Sequence, residues 1–151
     1  MRTVDSLDEL KELAGSELGL TEWMIVSQER INQFAAATGD HQWIHLDSER
    51  ARRESPYGTT IAHGFLTLAF ISDFVRQSVE IRGLKMTINY GLNRVRFPSA
   101  VRADSRVRGR VTLQSVKGLP EGVEATYVVS VESEGSGKPA CVAEWVVRYY
   151  A

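Results

Sequence analysis

The sequence predicts an α+β protein in which one antiparallel sheet wraps around a long buried helix. Apolar residues dominate nearly every side of the segment from Phe65 to Val75, as expected of a helix that is buried all round. From about residue 80 onward, apolar and polar residues alternate with period 2, the pattern of strands with one apolar face. Short glycine-containing loops separate these runs and favour antiparallel hairpins. Such a helix and such strands are best buried against each other.

The first half of the chain predicts three short helices and one strand. Each helix starts at a residue whose side-chain oxygen can accept hydrogen bonds from the first turn. These expected caps are Ser6, Ser27 and Asp47, and we expect the strand over residues 20–26, between the first two helices. The second helix is expected to end near Gly39, because glycine tolerates the left-handed conformation that ends many helices.

The second half predicts four strands after the central helix. The first of them, over residues 85–97, is long, with Gly91 as a candidate bulge and Pro98 as its end. The other three are expected over residues 106–116, 124–132 and 141–148, joined by short loops at 119–122 and 135–138. Together with the strand of the first half, they predict a five-stranded antiparallel sheet.

Length and composition fit one globular domain over residues 1–151. Of these residues, 43% are hydrophobic and 25% charged, and the formal net charge is −1, without the basic excess that nucleic-acid binding requires. Thr67, Ser72 and Asp73 interrupt the apolar run, so we expect neither a membrane span nor a signal peptide. The single cysteine, Cys141, allows no intrachain disulfide, favours the cytoplasm and fits an apolar strand face.

All three histidines lie close together in the chain, between residues 34 and 66. Asp40 leaves the second helix next to His41 and five residues before His45, and His63 directly precedes Gly64 at the start of the central helix. A glycine at a helix start leaves a backbone N–H that no side chain shields. An acid, an imidazole and a free amide donor are the groups needed to move a proton beside a polarised carbonyl. We interpret this segment as an active site.

At these residues the sequence resembles a known family. The motifs GDHQWIHLD (39–47) and IAHGFLTLAFIS (61–72) resemble the signature of the MaoC-like dehydratases, which include (R)-specific enoyl-CoA hydratases with a hot-dog fold. The later stretch YGLNRVRFPSAV (90–101) is similar to the strand that follows the central helix in one bacterial subgroup. The chain departs from the family at Gln42-Trp43, where many members have Asn-Pro.

The resemblance implies the reversible hydration of trans-2-enoyl thioesters to (R)-3-hydroxyacyl thioesters. Asp40 would take a proton from a water molecule that neutral His45 orients, and the Gly64 amide would bind the thioester oxygen. No cofactor is implied beyond the coenzyme A or acyl carrier that bears the acyl group, and a homodimer with its sheets edge to edge is expected. Expected contacts with the substrate or support for the site come from His63, Ser72, Trp43, Tyr57 and Asn93.

Alternative functions stay open at this point. Asp40 and His45 could be ordinary loop residues, and Gly64 could be a glycine only for close packing. A thioesterase on the same fold or a non-catalytic acyl-thioester-binding domain would also fit the fold. His41 and His45 are four residues apart, but no third metal ligand accompanies them, so we expect no metal.

Two further features have two interpretations each. Trp43 either packs into the core and fixes the loop or forms a wall of the acyl pocket, and we expect the first. The densest basic set is either a solvated strand face or a phosphate-binding surface, and we favour the strand face because alternation alone produces it. This set consists of Arg94, Arg96, Arg106, Arg108 and Arg110.

Overall fold

Eight strands and six helices make up the chain in the computed structural model, which describes all residues from Met1 to Ala151. The first half holds β1 (Arg2–Val4), α1 (Leu7–Glu12), β2 (Ser16–Leu20), β3 (Met24–Val26), α2 (Gln28–Thr38), α3 (Trp43–Leu46) and α4 (Ser48–Glu54). The second half holds α5 (Gly64–Ala69), α6 (Ile71–Ser78), β4 (Val79–Ile81), β5 (Met86–Arg96), β6 (Ser105–Leu119), β7 (Gly122–Ser133) and β8 (Cys141–Tyr150). The longest helix has 11 residues, and none could span a membrane.

The predicted helix caps are confirmed. The side chains of Ser6, Ser27 and Asp47 accept backbone N–H bonds in the first turns of α1, α2 and α4, with donor–acceptor distances of 3.1, 3.1 and 3.0 Å. Gly39 ends α2 with a φ of 82°, in the left-handed region. Local sequence signals therefore fix where these helices begin and where the chain leaves α2.

The main sheet is antiparallel and has the strand order β2-β6-β7-β8-β5, with β3 also paired to β6. Both β2 and β3 pair with β6. Together they take the place of the single first strand in the predicted five-stranded sheet, which therefore has six strands. The single strand expected over residues 20–26 is wrong in its bounds, because the ladder is interrupted at Thr21. There the Thr21 hydroxyl accepts the Gly109 N–H at 2.9 Å, in place of a backbone carbonyl. A small parallel sheet of β1 and β4 was not predicted, since each strand has only three residues.

The central helix is confirmed, but it is not buried all round. α5 and α6 meet at Phe70, whose backbone is helical, so the helix is nearly continuous from Gly64 to Ser78. Phe74 is fully buried against Gly109 of β6, where a Cβ atom would come within 2.5 Å of its side chain. Phe65, by contrast, is 71% exposed. One sheet covers one side of the helix, and the apolar opposite side stays open.

The two faces of the sheet differ in chemistry. The inner face supplies most of the hydrophobic core, which includes Cys141 as predicted, and burial raises the pKa of the Cys141 thiol to about 11. On the outer face, the arginines of β6 pair with glutamates: Arg106 with Glu134, Arg108 with Glu132 at 2.8 Å, and Arg110 with Glu132 and Glu17 at 3.0 Å each. The solvated strand face that the sequence favoured for these three arginines is confirmed.

Candidate active site

Asp40 directly follows Gly39, the residue that ends α2. Because Gly39 ends the helix, the backbone at Asp40 turns directly toward the start of the central helix. The Asp40 carbonyl oxygen accepts a hydrogen bond from Nε2 of His63 at 3.0 Å. The Asp40 side chain is exposed and has one long contact, 3.4 Å, with the Gln42 N–H. The backbone of Asp40 is therefore held while its carboxylate stays available to a ligand.

His45 is buried and its tautomer is defined by one hydrogen bond. It lies in the one-turn helix α3, which corrects the expectation that this stretch is loop. Nδ1 of His45 lies 2.7 Å from the Ile61 carbonyl oxygen. A carbonyl can only accept, so Nδ1 carries the hydrogen and the Nε2 of a neutral ring keeps its lone pair.

The surroundings of His45 favour the neutral imidazole. Burial lowers its pKa from the usual value of 6.5, the Ile61 carbonyl opposes this shift, His63 lowers the pKa further and Asp40 raises it. The net direction is downward, because the cost of burying a charged ring is the largest of these effects. His45 is thus a hydrogen-bond acceptor near neutral pH.

His63 connects the acid and the imidazole. Its ring stacks on that of His45, with centroids 3.9 Å apart and planes at 24°, and it packs against Phe34 at 4.9 Å. Its Nε2 donates to the Asp40 carbonyl, whereas its Nδ1 is buried without a hydrogen-bond partner. One buried ring therefore fixes the position of Asp40 relative to His45.

Asp40, His45 and His63 converge, as the sequence predicts for an active site. One carboxylate oxygen of Asp40 and one ring nitrogen of each histidine lie within 4.8 Å of one another. His41 is exposed and does not join them. These three side chains are also close enough to share a metal ion, but each histidine already uses one ring nitrogen for a carbonyl. The absence of a metal stays a prediction.

Gly64 lines a cavity of about 240 Å³ together with His45 and Tyr57. The Gly64 N–H donates no backbone hydrogen bond. A Cβ atom at this position would meet the Phe97 ring at 3.4 to 3.5 Å, which is ordinary contact. Close packing alone does not demand a glycine here, so the free amide can serve a ligand.

Three of the predicted substrate contacts lie elsewhere. Ser72 lines a second cavity of about 760 Å³ near the other end of the central helix, and its hydroxyl donates to the Ala69 carbonyl at 3.3 Å. Asn93 is exposed at a bulge of β5. Trp43 lies neither in the core, as we expected, nor in a cavity wall; it is half-buried under the Arg50 guanidinium at 4.1 Å.

No sequence pattern indicates the residues that support His45 from elsewhere in the chain. Gln28 of α2 donates through Nε2 to the His45 carbonyl at 2.8 Å, and its own carbonyl oxygen accepts from the Thr60 hydroxyl. Ile61, which binds Nδ1, is an apolar residue that contributes only its backbone. These contacts join parts of the chain that are 16 to 32 residues apart.

A family model described as MaoC like domain matches residues 9–134. The 3-hydroxyacyl-thioester dehydratase Z of Mycobacterium tuberculosis is 53% identical over 152 residues, covering 100% of both chains. Nodulation protein N of Rhizobium meliloti is 47% identical over 143 residues, covering 93% of this chain and 89% of its own. The unliganded R-hydratase PhaJ1 of Pseudomonas aeruginosa has a TM-score of 0.72 at 23% identity, covering 91% of this chain and 81% of its own.

The sheet wrapped around a central helix, together with the structural match, defines a protein of the hot-dog fold class. Within that class the chain belongs to the MaoC-like dehydratase family, as its motifs indicated.

Proposed function

We propose that this protein is a hydro-lyase that adds water reversibly to 2-enoyl thioesters and forms the (R)-3-hydroxyacyl product. The observation that carries the proposal is the convergence of Asp40 and His45 within 4.8 Å, next to the unpaired amide of Gly64. Family membership and the dehydratase name of the 53% identical relative support the same reaction class.

The spacing of Asp40 and His45 suits one bound water molecule. A water that donates one hydrogen bond of ordinary length to each of two acceptors spans about 4.6 Å between them. The Asp40 carboxylate is one acceptor, and Nε2 of neutral His45 is the other, because its Nδ1–H is committed to Ile61. Both protons of the water are then engaged, and its oxygen lone pair is free to attack.

In the hydration direction, Asp40 withdraws one proton as the water oxygen bonds to C3 of the enoyl group. The electron pair of the C2–C3 double bond moves toward C2 and the thioester oxygen, where the Gly64 N–H stabilises the developing negative charge. The proton held by Asp40 then returns to C2, which balances the addition of one water. These steps require neither a metal nor a cofactor, and coenzyme A or an acyl carrier only bears the acyl group.

His63 is proposed as a positioning residue. It donates to the Asp40 carbonyl and stacks on His45, so both separations depend on the same ring. Reaction rates are sensitive to such separations, since misplacement of a reacting group by about 1 Å costs on the order of 100-fold.

For the remaining predicted site residues, we propose roles from where each lies in the structure. Tyr57 lines the catalytic cavity, so we propose that it borders the thioester. Ser72 lies about 12 Å along the helix from Gly64, where the larger cavity can hold the far end of a longer acyl group. Trp43 supports the catalytic loop through Arg50, and Asn93 contacts substrate only if a second subunit brings it near.

The assembly we propose is a homodimer that joins the free edges of β5. This strand has a neighbour on one side only, and several large apolar side chains on it are exposed, namely Met86, Ile88, Tyr90 and Leu92. Free edges with apolar side chains are usually covered by another chain. We place the dimer in the cytoplasm, which suits the unpaired, buried Cys141.

Replacing Asp40 by Asn and His45 by Gln tests the proposed chemistry. Asp40→Asn keeps the side-chain shape but removes the proton acceptor, and His45→Gln removes the ring nitrogen that orients the water, so we expect each to lose about 100- to 10,000-fold in hydratase turnover with the fold retained. Loss of enoyl absorbance measures turnover, circular dichroism checks the fold, and chiral analysis identifies the (R) product.

Three outcomes contradict this proposal. A folded Asp40→Asn or His45→Gln variant with near-normal turnover would exclude the proposed pair. Release of free thiol without formation of a 3-hydroxyacyl thioester would instead identify a thioesterase. Binding of acyl thioesters without either reaction would identify a non-catalytic domain.

A further inference from the structure

The β6 arginines, for which the sequence offered phosphate binding as the less favoured alternative, are already neutralised. Arg106 pairs with Glu134, and Arg108 and Arg110 pair with Glu132, with Glu17 as a second partner of Arg110. Binding a phosphate there would require breaking at least one of these contacts. A free cation near the catalytic cavity is a better candidate, and such a cation lies outside the predicted set.

Arg102 is this cation. Its side chain is exposed, and its guanidinium makes no hydrogen bond and has no carboxylate within 4.0 Å, whereas its backbone carbonyl accepts from the Ser105 hydroxyl at 2.6 Å. Its backbone, however, is held by neighbouring hydrogen bonds. Arg102 forms an antiparallel bridge with Ile61, and the flanking backbone bonds from Ala62 to Val101 and from Ala103 to Thr60 measure 2.7 and 2.9 Å. Ile61 is the residue whose carbonyl holds His45, so Arg102 is tied directly to the catalytic segment.

Arg102 lines a groove of about 470 Å³ that adjoins the catalytic cavity. Tyr57 and the backbone turn 98–100 line both spaces, so the groove continues the cavity outward from Gly64. Hydroxyl groups of Ser105 and Ser133 border the groove near Arg102. The acid in its wall, Glu134, is paired with Arg106, which leaves Arg102 as the unneutralised charge.

The length of this path fits the arm of an acyl thioester. Arg102 lies about 5 Å from Ile61 across the bridge. Three residues of chain, at most about 10 Å, separate Ile61 from Gly64. A pantetheine arm is about as long as four extended residues, or roughly 14 Å. A thioester bound at Gly64 can therefore place the phosphate at the end of its arm within reach of the Arg102 guanidinium.

We propose that Arg102 binds the phosphate of the phosphopantetheine arm, the group that coenzyme A and acyl carrier proteins share. This inference rests on the proposed function, because it needs an acyl thioester at Gly64. A guanidinium suits this role, since its planar donors match phosphate oxygens and the charge persists at any physiological pH. Arg102 therefore contributes to recognition of the phosphopantetheine carrier and not of the acyl group.

The test compares 2-enoyl thioesters of pantetheine, 4′-phosphopantetheine and coenzyme A on wild-type protein and on Arg102→Ala. We expect the variant to raise KM for the two phosphate-bearing thioesters about three- to tenfold, with kcat and the KM of the pantetheine thioester unchanged. Added salt should raise the same two KM values in the wild type but much less in the variant. Arg102→Lys should recover part of the loss.

Lys117→Ala is the matched control, because Lys117 is an exposed cation without a salt-bridge partner in β6, far along the strand from the groove.

Equal KM increases for all three thioesters would show a structural role for Arg102 and overturn the proposal, as would no increase at all. An increase for coenzyme A alone would assign the contact to its nucleotide phosphates and also overturn it. If the wild-type protein turned over none of the three thioesters, the hydratase function itself would be rejected. An enoyl-acyl carrier protein substrate then shows which carrier the same arginine serves.

Discussion

The sequence motifs of this protein lie mainly in two segments. The two segments differ in whether their residues have partners within the same chain. In the segment from Gly39 to Gly64, the catalytic side chains have partners within the same chain: His45 binds Ile61, and His63 binds Asp40. In β5, by contrast, one edge is unpaired and apolar side chains face solvent. From this comparison we expect proton transfer to need the residues of one chain only, and we propose that the exposed residues of β5 are covered by a second chain.

Apart from the changes at Asp40 and His45, the largest expected effect comes from removing the Gly64 amide at the boundary of the first segment. Proline is well tolerated at the first position of a helix, and His63 before it already has the extended ψ of 139° that proline requires. Gly64→Pro therefore removes the N–H with little damage to the helix. We expect kcat to fall about 100- to 1,000-fold, which is the usual cost of deleting one oxyanion donor.

Gly64→Ala is the control for this change. It adds a Cβ atom beside the Phe97 ring, as proline does, but it keeps the N–H. We expect kcat of the alanine variant to stay within about tenfold of the wild type, since the added contact is of ordinary length. Equal losses in both folded variants would mean that space, and not the amide, is what Gly64 provides.

A smaller effect tests the second segment. Leu92 is 43% exposed on β5, so replacing it by Lys should weaken a dimer built on this edge about 10- to 100-fold in Kd. Ile25, 57% exposed on β3 at the opposite side of the sheet, gives the control Ile25→Lys, which should leave assembly unchanged. Sedimentation velocity over a range of concentrations measures both. A wild-type protein that is monomeric at micromolar concentration would exclude this dimer.

These tests separate what local sequence reveals from what it cannot. The caps at Ser27 and Asp47 and the exit at Gly39 follow from residue types at fixed spacing, and the structure has them where predicted. The pairing of Asp40 with His45 came instead from the family resemblance, because their spacing alone also fits ordinary loop residues. The hydrogen bond from His63 to the Asp40 carbonyl joins residues 23 apart. Its acceptor is a backbone carbonyl, which every residue has, so no residue pattern predicts it.

The apolar central helix shows a second limit. Its sequence predicted burial on every side, but Phe65 is 71% exposed in the single chain. Hydrophobic residues on a helix indicate that a surface will be covered, and they do not say whether the protein's own sheet, a ligand or a second chain covers it. The error at Phe65 has this cause.

The smallest expected effect concerns Trp43, where the chain lacks the proline common in its family. The indole is half-buried and stacks under Arg50 of α4, outside the hydrophobic core. A fully buried tryptophan would lose about 3 to 5 kcal/mol on truncation to alanine, whereas a half-buried one with a cation–π contact should lose about 1 to 2 kcal/mol.

Activity should report where this residue acts. Trp43 does not line the catalytic cavity or the larger one, so Trp43→Ala should lower turnover to a similar extent for every acyl chain length. Trp43→Phe, which keeps an aromatic face under Arg50, should recover most of the stability. Thermal melting and a series of enoyl thioesters measure the two effects. An unchanged melting temperature with an altered chain-length preference would place Trp43 in the acyl pocket and contradict its role as the support that holds Asp40 and His45 at a fixed separation.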